Sequence, residues 1–96
     1  MKAFVVRVNG KRVCTAGIGP NGVLTTSMFW VGGGKRRGPE GQFGFHVGGL
    51  DSRTDEHVNY DVPDLKVGDT VAVKIVETNR IDPETKRYKS DLSGGG

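Results

Sequence analysis

Residues 23–31 read VLTTSMFWV, and the conformation of this stretch decides the fold. A strand here has two faces, with Leu24, Thr26, Met28 and Trp30 on one and Val23, Thr25, Ser27 and Phe29 on the other. The alternative is a helix packed on a sheet, because Leu24, Met28 and Val31 also fit a helical spacing. The β-branched and aromatic content, with glycines on both sides, favours the strand.

Two further strands are predicted before this stretch, at residues 2–8 and 11–18. They flank Asn9-Gly10, a pair that tolerates the positive φ angles of a two-residue type I′ turn. We therefore expect the two segments to form a β-hairpin, with Cys14 of the second strand pointing toward the core. The sequence GPNG at 19–22 predicts the turn that leads into residues 23–31.

Three more strands are predicted after it, at residues 42–50, 57–62 and 70–79. The last of these, TVAVKIVETN, shows the cleanest alternation of apolar side chains in the chain. Pro63 ends the strand before it, since proline cannot donate to a ladder. In the connector that follows, Leu65 and Val67 are expected to pack against the core.

About six short strands, glycine-rich turns and no predicted helix indicate an all-β fold, a small antiparallel β-sandwich or barrel. A chain of 96 residues has no room for a second core, so residues 1–80 are predicted to form a single domain. Residues 81–96 are charged and end in glycines. We assign them to a flexible C-terminal tail that is partly disordered.

Cys14 is the only cysteine, so no intrachain disulfide can form and a reduced, cytoplasmic location is expected. The first residues, MKAFVVRVNGKR, contain no signal-peptide cleavage site. No stretch approaches the length of a membrane span, so no membrane partner is expected.

The charges are unevenly distributed along the chain. Residues 1–39 contain seven Lys/Arg and no acid, whereas residues 40–96 contain seven Lys/Arg and eleven Asp/Glu. One interpretation is a basic face for an anionic partner. The favoured one is that basic and acidic strands mix in the fold as ordinary cross-strand pairs, because only Lys35–Arg37 form a run of three cations.

The segment VGGGKRRGPEGQF at 31–43 combines glycines with three consecutive cations. It is not a phosphate-binding loop, since Phe29 stands where the first Walker glycine belongs and Arg36 where the Ser/Thr belongs. The favoured interpretation is a hairpin loop, in which the cations keep a sheet edge soluble. The alternative is contact with a nucleic-acid backbone by Lys35, Arg36 and Arg37, beside a stacking Trp30.

No metal, cofactor or catalytic site is predicted. Cys14, His46 and His57 are scattered and lack the paired spacing of a structural zinc site. In the acidic turn DSRTDE, Arg53 occupies a position that calcium binding would require for a ligand. An enzyme that uses His46, His57 and the neighbouring acids ranks last among the functions considered.

The leading hypothesis is a small non-enzymatic binding or interaction module, with a protein partner or self-association favoured. Its contact surface is predicted around residues 32–42 and the turn at 50–57, and the binding residues are Trp30, Lys35, Arg36 and Arg37. The alternative function is a nucleic-acid-binding small β-barrel that uses the same basic segment.

Overall fold

A computed structural model describes residues 1–32 and 41–89, and it shows an all-β domain. Its seven strands are β1 (Lys2–Val8), β2 (Lys11–Gly17), β3 (Gly22–Val31), β4 (Gln42–Asp51), β5 (Glu56–Tyr60), β6 (Val71–Glu77) and β7 (Lys86–Lys89). They form two antiparallel sheets, sheet A in the order β2-β1-β6 and sheet B in the order β3-β4-β5-β7. The predicted fold class is confirmed, with a sandwich-like pairing of the sheets, and residues 23–31 are a strand. The described residues contain no helix long and apolar enough to cross a membrane.

The β1–β2 hairpin turns at the predicted Asn9-Gly10 pair. Asn9 has a φ of 54° and Gly10 a φ of 83°, as a type I′ turn requires at both central positions. The Asn9 side chain also holds the start of β6, because its Oδ1 accepts from the Thr70 N–H at 2.9 Å and its Nδ2 donates to Asp69 Oδ1 at 3.0 Å. This turn therefore helps to place β6 beside β1.

The core lies between the two sheets, and both sheets contribute buried side chains to it. Its buried members are Val6, Cys14 and Ala16 from sheet A and Val47 and Tyr60 from sheet B. Cys14 is 4% exposed, so its predicted position in the core is confirmed. Phe4, Leu24 and Phe45 pack around this cluster and are only partly buried, which makes the core narrow.

The structure describes residues 81–89 of the segment assigned to the tail, and residues 90–96 lie outside it. The Ile81 side chain packs on Gly17, where it occupies the space of an added Cβ. Asp82 binds the backbone of Thr15 twice, donating its N–H to the Thr15 carbonyl and accepting the Thr15 N–H at its Oδ2, both at 2.9 Å. The chain then crosses to sheet B, where β7 pairs with β5.

Three of the seven described ion pairs join the basic first part of the chain to its acidic second part, and the other four lie within the second part. Lys2 pairs with Glu77 across β1 and β6, and Arg12 pairs with Asp82 at 2.7 Å. The Lys2–Glu77 pair is a cross-strand contact of the kind that the sequence favours, whereas Asp82 lies in the segment between β6 and β7.

One side of the sandwich is open. β3 is an edge strand of sheet B and β6 an edge strand of sheet A, and both contribute to a groove of about 520 Å³ lined by Phe4, Leu24, Thr25, Thr26, Val73 and Ile75. Ile75 pairs with Phe4 and shares its inward face, yet it is 73% exposed. The apolar interior is therefore uncovered along this side in the described part of the chain.

The expected contact of Val67 with the core is wrong. Its side chain is 88% exposed, whereas Leu65 is partly buried. The turn is held by polar contacts instead, since Asp69 Oδ2 accepts the Lys66 N–H at 2.9 Å and Gly68 takes a φ of 98°. The acid and the glycine therefore hold this turn without a contribution from Val67.

Candidate functional site

The outer edge of β3 is unpaired among the described residues, because β3 pairs only with β4. Just before β3, the Ser52 N–H donates to the Asn21 carbonyl at 2.8 Å. Asn21 and Ser52 are therefore a hydrogen-bonded pair, and such pairs recur at every second residue of an antiparallel ladder. Because the register continues without a shift, the odd-numbered residues of β3 form the backbone hydrogen bonds to β4. The even-numbered residues, from Gly22 to Trp30, therefore direct their N–H and C=O groups toward the open edge.

This edge lacks the features that usually prevent strands from associating. β3 is ten residues long, GVLTTSMFWV, with no charged residue and no proline. Its register with β4 continues without a bulge from one end to the other. Natural sheets protect their edges with short strands, lysines, prolines or bulges, so a long, regular, uncharged edge is competent to add a further strand.

Three consecutive large apolar side chains of β3 are exposed. Met28 is 60% exposed, Phe29 56% and Trp30 57%. They lie near the end of the β3–β4 hairpin, which extends beyond β5, since β5 pairs with β4 only from Val47 to Asp51. Alternation places Met28 and Trp30 on the inward face of sheet B and Phe29 on its outward face. The end of the hairpin is thus apolar on both faces.

Glycines on neighbouring backbone provide the space in which the two aromatic rings lie. A Cβ added to Gly44, the cross-strand partner of Phe29, would stand 2.1 Å from the Phe29 Cζ. The Trp30 ring lies equally close to Gly32 and near Gly41. Each ring therefore rests directly on the backbone and keeps half of its surface exposed.

The structure and the sequence agree on Trp30 as an exposed aromatic residue, but the predicted cations cannot be placed. Lys35, Arg36 and Arg37 lie outside the described residues, so their contact with a partner stays a prediction. The turn at 50–57 stands at the far end of β4 from Trp30, about 30 Å away along the strand. The structure therefore does not bring Trp30 and this turn together.

That turn contains a structural network of charges. Asp51 is buried, and it accepts the Arg53 N–H at 3.1 Å and Arg87 Nη1 at 3.2 Å. Burial raises the pKa of Asp51, but these hydrogen bonds outweigh burial and hold the pKa below its usual value. Arg87 also contacts Glu56 at 3.2 Å and Glu84 at 2.6 Å. One guanidinium thus contacts three carboxylates. No group of three or more His, Cys, Asp or Glu in the described ranges could hold a metal ion.

The two histidines lie on the outward face of sheet B, in a shallow groove of about 320 Å³. His46 Nε2 is 2.8 Å from Asn59 Oδ1, and the His57 ring stacks on Tyr88 with centroids 5.2 Å apart. The residues that line this groove include no carboxylate. The groove therefore does not supply the histidine–acid pair that acid–base chemistry would use.

Cys14 does not have the surroundings of a nucleophile. Burial raises the pKa of its thiol, and the negative charge of Asp82 raises it further. A buried thiol with a raised pKa forms little of the reactive thiolate. Cys14 acts as a small apolar member of the core.

Sequence reasoning identified Trp30 but missed Met28, Phe29 and the open edge of β3. A signal was present, because no charged residue occurs between Arg12 and Lys35. A strand within such an uncharged run carries no charged side chain. If it lies at the edge of a sheet, nothing of this kind prevents it from pairing with another strand. Which strand lies at an edge depends on pairing order, which alternation does not reveal.

No protein-family model, no curated protein and no solved structure matches this chain.

Proposed function

We propose that this chain is a non-enzymatic binding module that contacts a protein partner through β3. The observation that carries the proposal is an uncharged ten-residue edge strand whose Met28, Phe29 and Trp30 are all exposed. A partner can add a strand to such an edge through backbone hydrogen bonds, while side chains along the strand supply specificity. A cytoplasmic location is part of the proposal and is supported by the single Cys14.

The exposed rings can supply much of the binding free energy. Aromatic residues dominate the small set of side chains on which protein interfaces depend. Covering the exposed parts of Phe29 and Trp30 removes on the order of 200 Å² of apolar surface from water, given about 150–250 Å² for a whole aromatic side chain. At about 25 cal/mol per Å², this contributes about 5 kcal/mol before the entropic costs of association.

The proposal predicts that capture of proteins from an extract of the native cells depends on β3. The full chain serves as bait beside a Phe29→Ser/Trp30→Ser variant, with Val67→Lys as the matched control because Val67 is exposed outside β3. Proteins retained by the wild type and by Val67→Lys, including untagged copies of the chain itself, should be lost from the double variant. Equal retention by all three baits contradicts the proposal.

A second candidate function is single-stranded nucleic-acid binding, and it is favoured by the exposed rings of Phe29 and Trp30 next to a segment that contains Lys35–Arg37. Stacking on aromatic rings combined with a basic track is the usual mode of such binding. Trp30 is the only tryptophan, so its fluorescence reports directly on a titration with oligothymidine. Quenching that weakens steeply with salt and disappears on neutralising the three cations would favour this function over protein binding.

A further inference from the structure

We infer that the strand added to β3 is β3 of a second copy of this chain, paired antiparallel about a twofold axis that passes through Thr26. This inference rests on the proposed use of β3 as the binding edge and names its partner. The result would be a continuous eight-stranded sheet formed from sheet B of each copy.

The sequence of β3 is symmetric in polarity about Thr26. Residues 23–29 read VLTTSMF, two apolar residues, three polar residues and two apolar residues. Antiparallel self-pairing about Thr26 sets Leu24 opposite Met28 of the second copy on the inward face, and Val23 opposite its Phe29 on the outward face. The polar Thr25 and Ser27 also meet each other. A strand unrelated to β3 has no reason to repeat this pattern.

The hydrogen-bonding phase of β3 suits the same axis. Paired residues must lie on the same face of the sheet. A twofold axis perpendicular to the sheet meets this condition only when the pairing is centred on one residue, which then faces its own copy, and not midway between two residues. Thr26 is even-numbered and directs its N–H and C=O toward the open edge, by the phase that the Asn21–Ser52 bond sets. The two copies of Thr26 can therefore exchange a pair of backbone hydrogen bonds on the axis.

The open groove beside β3 supplies a reason for the dimer to form. Val73 and Ile75 face inward but are 40% and 73% exposed, and four of the six residues that line the groove they share with Leu24 are apolar. Inward side chains of a second β3 would lie against this uncovered interior. No charge on β3 opposes the approach of an identical strand.

Thr26 itself has an unsatisfied group. Its Oγ1 is buried and has no hydrogen-bond partner among the described residues. On the axis it meets the hydroxyl of Thr26 of the second copy, and facing threonines on paired strands form hydrogen bonds.

The size of the open side is compatible with a stable dimer. A ten-residue strand is about 33 Å long, and the domain is 16 Å thick. Their product gives a projected area of roughly 500 Å², and the accessible area of a side-chain surface exceeds its projection. Stable interfaces bury about 800 Å² on each partner, so the open side is of the required order.

The first experiment measures the oligomeric state of the full chain by sedimentation equilibrium over a wide range of protein concentration. The test variants are Met28→Pro and Met28→Lys, and Val67→Lys is the control. The Met28 N–H faces the open edge, so proline there removes no hydrogen bond to β4. We expect dimers for the wild type and the control, and a dissociation constant raised at least about tenfold for both Met28 variants.

The second experiment tests the position of the axis and does not depend on how the Met28 variants fold. Thr26→Cys and Ser27→Cys are each oxidised with oxidised glutathione, and the native Cys14 stays unreactive because it is buried. On the axis, two residues at position 26 stand about 5.5 Å apart between Cα atoms, within disulfide range. Two residues at position 27 stand about 7–8 Å apart on a diagonal, so only Thr26→Cys should give a cross-linked dimer.

Each result has a definite meaning. A wild type that stays monomeric, or a dimer that persists in both Met28 variants, overturns the inference. Cross-linking through position 27 in preference to position 26 overturns the Thr26-centred pairing. A monomeric wild type that still captures a foreign protein through Phe29 and Trp30 leaves the proposed function standing, so the two failures are distinguishable.

Discussion

Gly10 and Gly19 both lie in turns of the first half of the chain, and a Cβ added to either would meet no atom within 4 Å. They differ in backbone conformation, since Gly10 takes a φ of 83° and Gly19 is outside the left-handed region. We therefore expect Gly10→Ala to lower the free energy of unfolding by about 1–2 kcal/mol, the cost of a left-handed alanine. Urea unfolding followed by Trp30 fluorescence measures this change.

The matched control for this prediction is Gly19→Ala. Alanine there is expected to be neutral or to stabilise by up to about 1 kcal/mol, because it restricts the unfolded chain. Equal losses in the two variants would show that φ at position 10 is not what makes its glycine necessary.

For some residues the neighbouring sequence was enough to predict conformation and contacts, and for others it was not. The Asn9-Gly10 turn could be predicted because the φ preference of the pair acts within the turn itself. The contacts of Asn9 with Asp69 and Thr70 join residues that are far apart in sequence, and no local pattern encodes them. Val67 was misplaced because an apolar residue in a connector can be left exposed when polar groups close the turn.

Among the strands, β7 contributes a single residue that connects several parts of the fold. Arg87 contacts Asp51, Glu56 and Glu84, which belong to β4, β5 and the segment before β7. Its hydrogen bond is the main cause of the lowered pKa of Glu84, and it contributes to the lowered pKa of Asp51. A carboxyl group with a lowered folded pKa stabilises the protein above its unfolded pKa and loses that contribution as pH falls through the folded value.

From this follows a prediction about pH. The free energy of unfolding should be nearly constant between about pH 5 and about pH 8 and should fall below about pH 4, near the usual carboxyl pKa values. Arg87→Gln should lower stability at neutral pH and flatten the acid limb, since Asp51 and Glu84 lose the charge that lowers their pKa values. Arg53→Gln is the control, because that guanidinium is exposed and 3.7 Å from Asp51. Parallel acid limbs for Arg87→Gln and the wild type would contradict the expectation.

The strands themselves were predictable, but their neighbours were not. Alternation in residues 71–77 correctly indicates that Val73 and Ile75 share a face. It does not indicate whether the opposite sheet extends far enough to cover that face. The position of β3 at an edge is equally non-local, because it depends on β4 pairing with β5 on its other side. For this reason the open side could not be anticipated from the sequence.

For the molecule as a whole, the Tyr60 hydroxyl links sheet B to sheet A. It accepts the Gly17 N–H at 3.3 Å and stands 3.2 Å from the Gly17 carbonyl and 3.1 Å from the Asp82 carbonyl. Burial raises the pKa of Tyr60, so the hydroxyl stays protonated and remains a donor. We expect Tyr60→Phe to lower the free energy of unfolding by about 1–3 kcal/mol, because buried backbone groups lose their partner.

Urea unfolding measures the effect of Tyr60→Phe, with Tyr88→Phe as the control. Tyr88 is the other tyrosine of the chain and is exposed. Its variant should unfold within about 0.5 kcal/mol of the wild type, as surface substitutions usually do. Indistinguishable midpoints for the two variants would mean that the Tyr60 hydroxyl does not hold the sheets together.

The overall architecture was more accessible from the sequence than the candidate site. The all-β class follows from apolar alternation, which is imposed by the geometry of every strand. The binding surface depends on which apolar side chains stay uncovered, and coverage is a property of the assembled sheets. Trp30 could be proposed from its size and position, whereas Met28 and Phe29 look like core residues in the sequence.

The uneven support along β4 affects how the domain can move. From Val47 onward β4 has a strand on each side, but from Gln42 to His46 the only described strand that pairs with it is β3. This end of the hairpin is a two-stranded arm, and such ribbons open at a much lower free energy than a sheet interior. The part of the arm beyond Phe45, which itself packs against the core cluster, can therefore open while Val6, Val47 and Tyr60 stay packed.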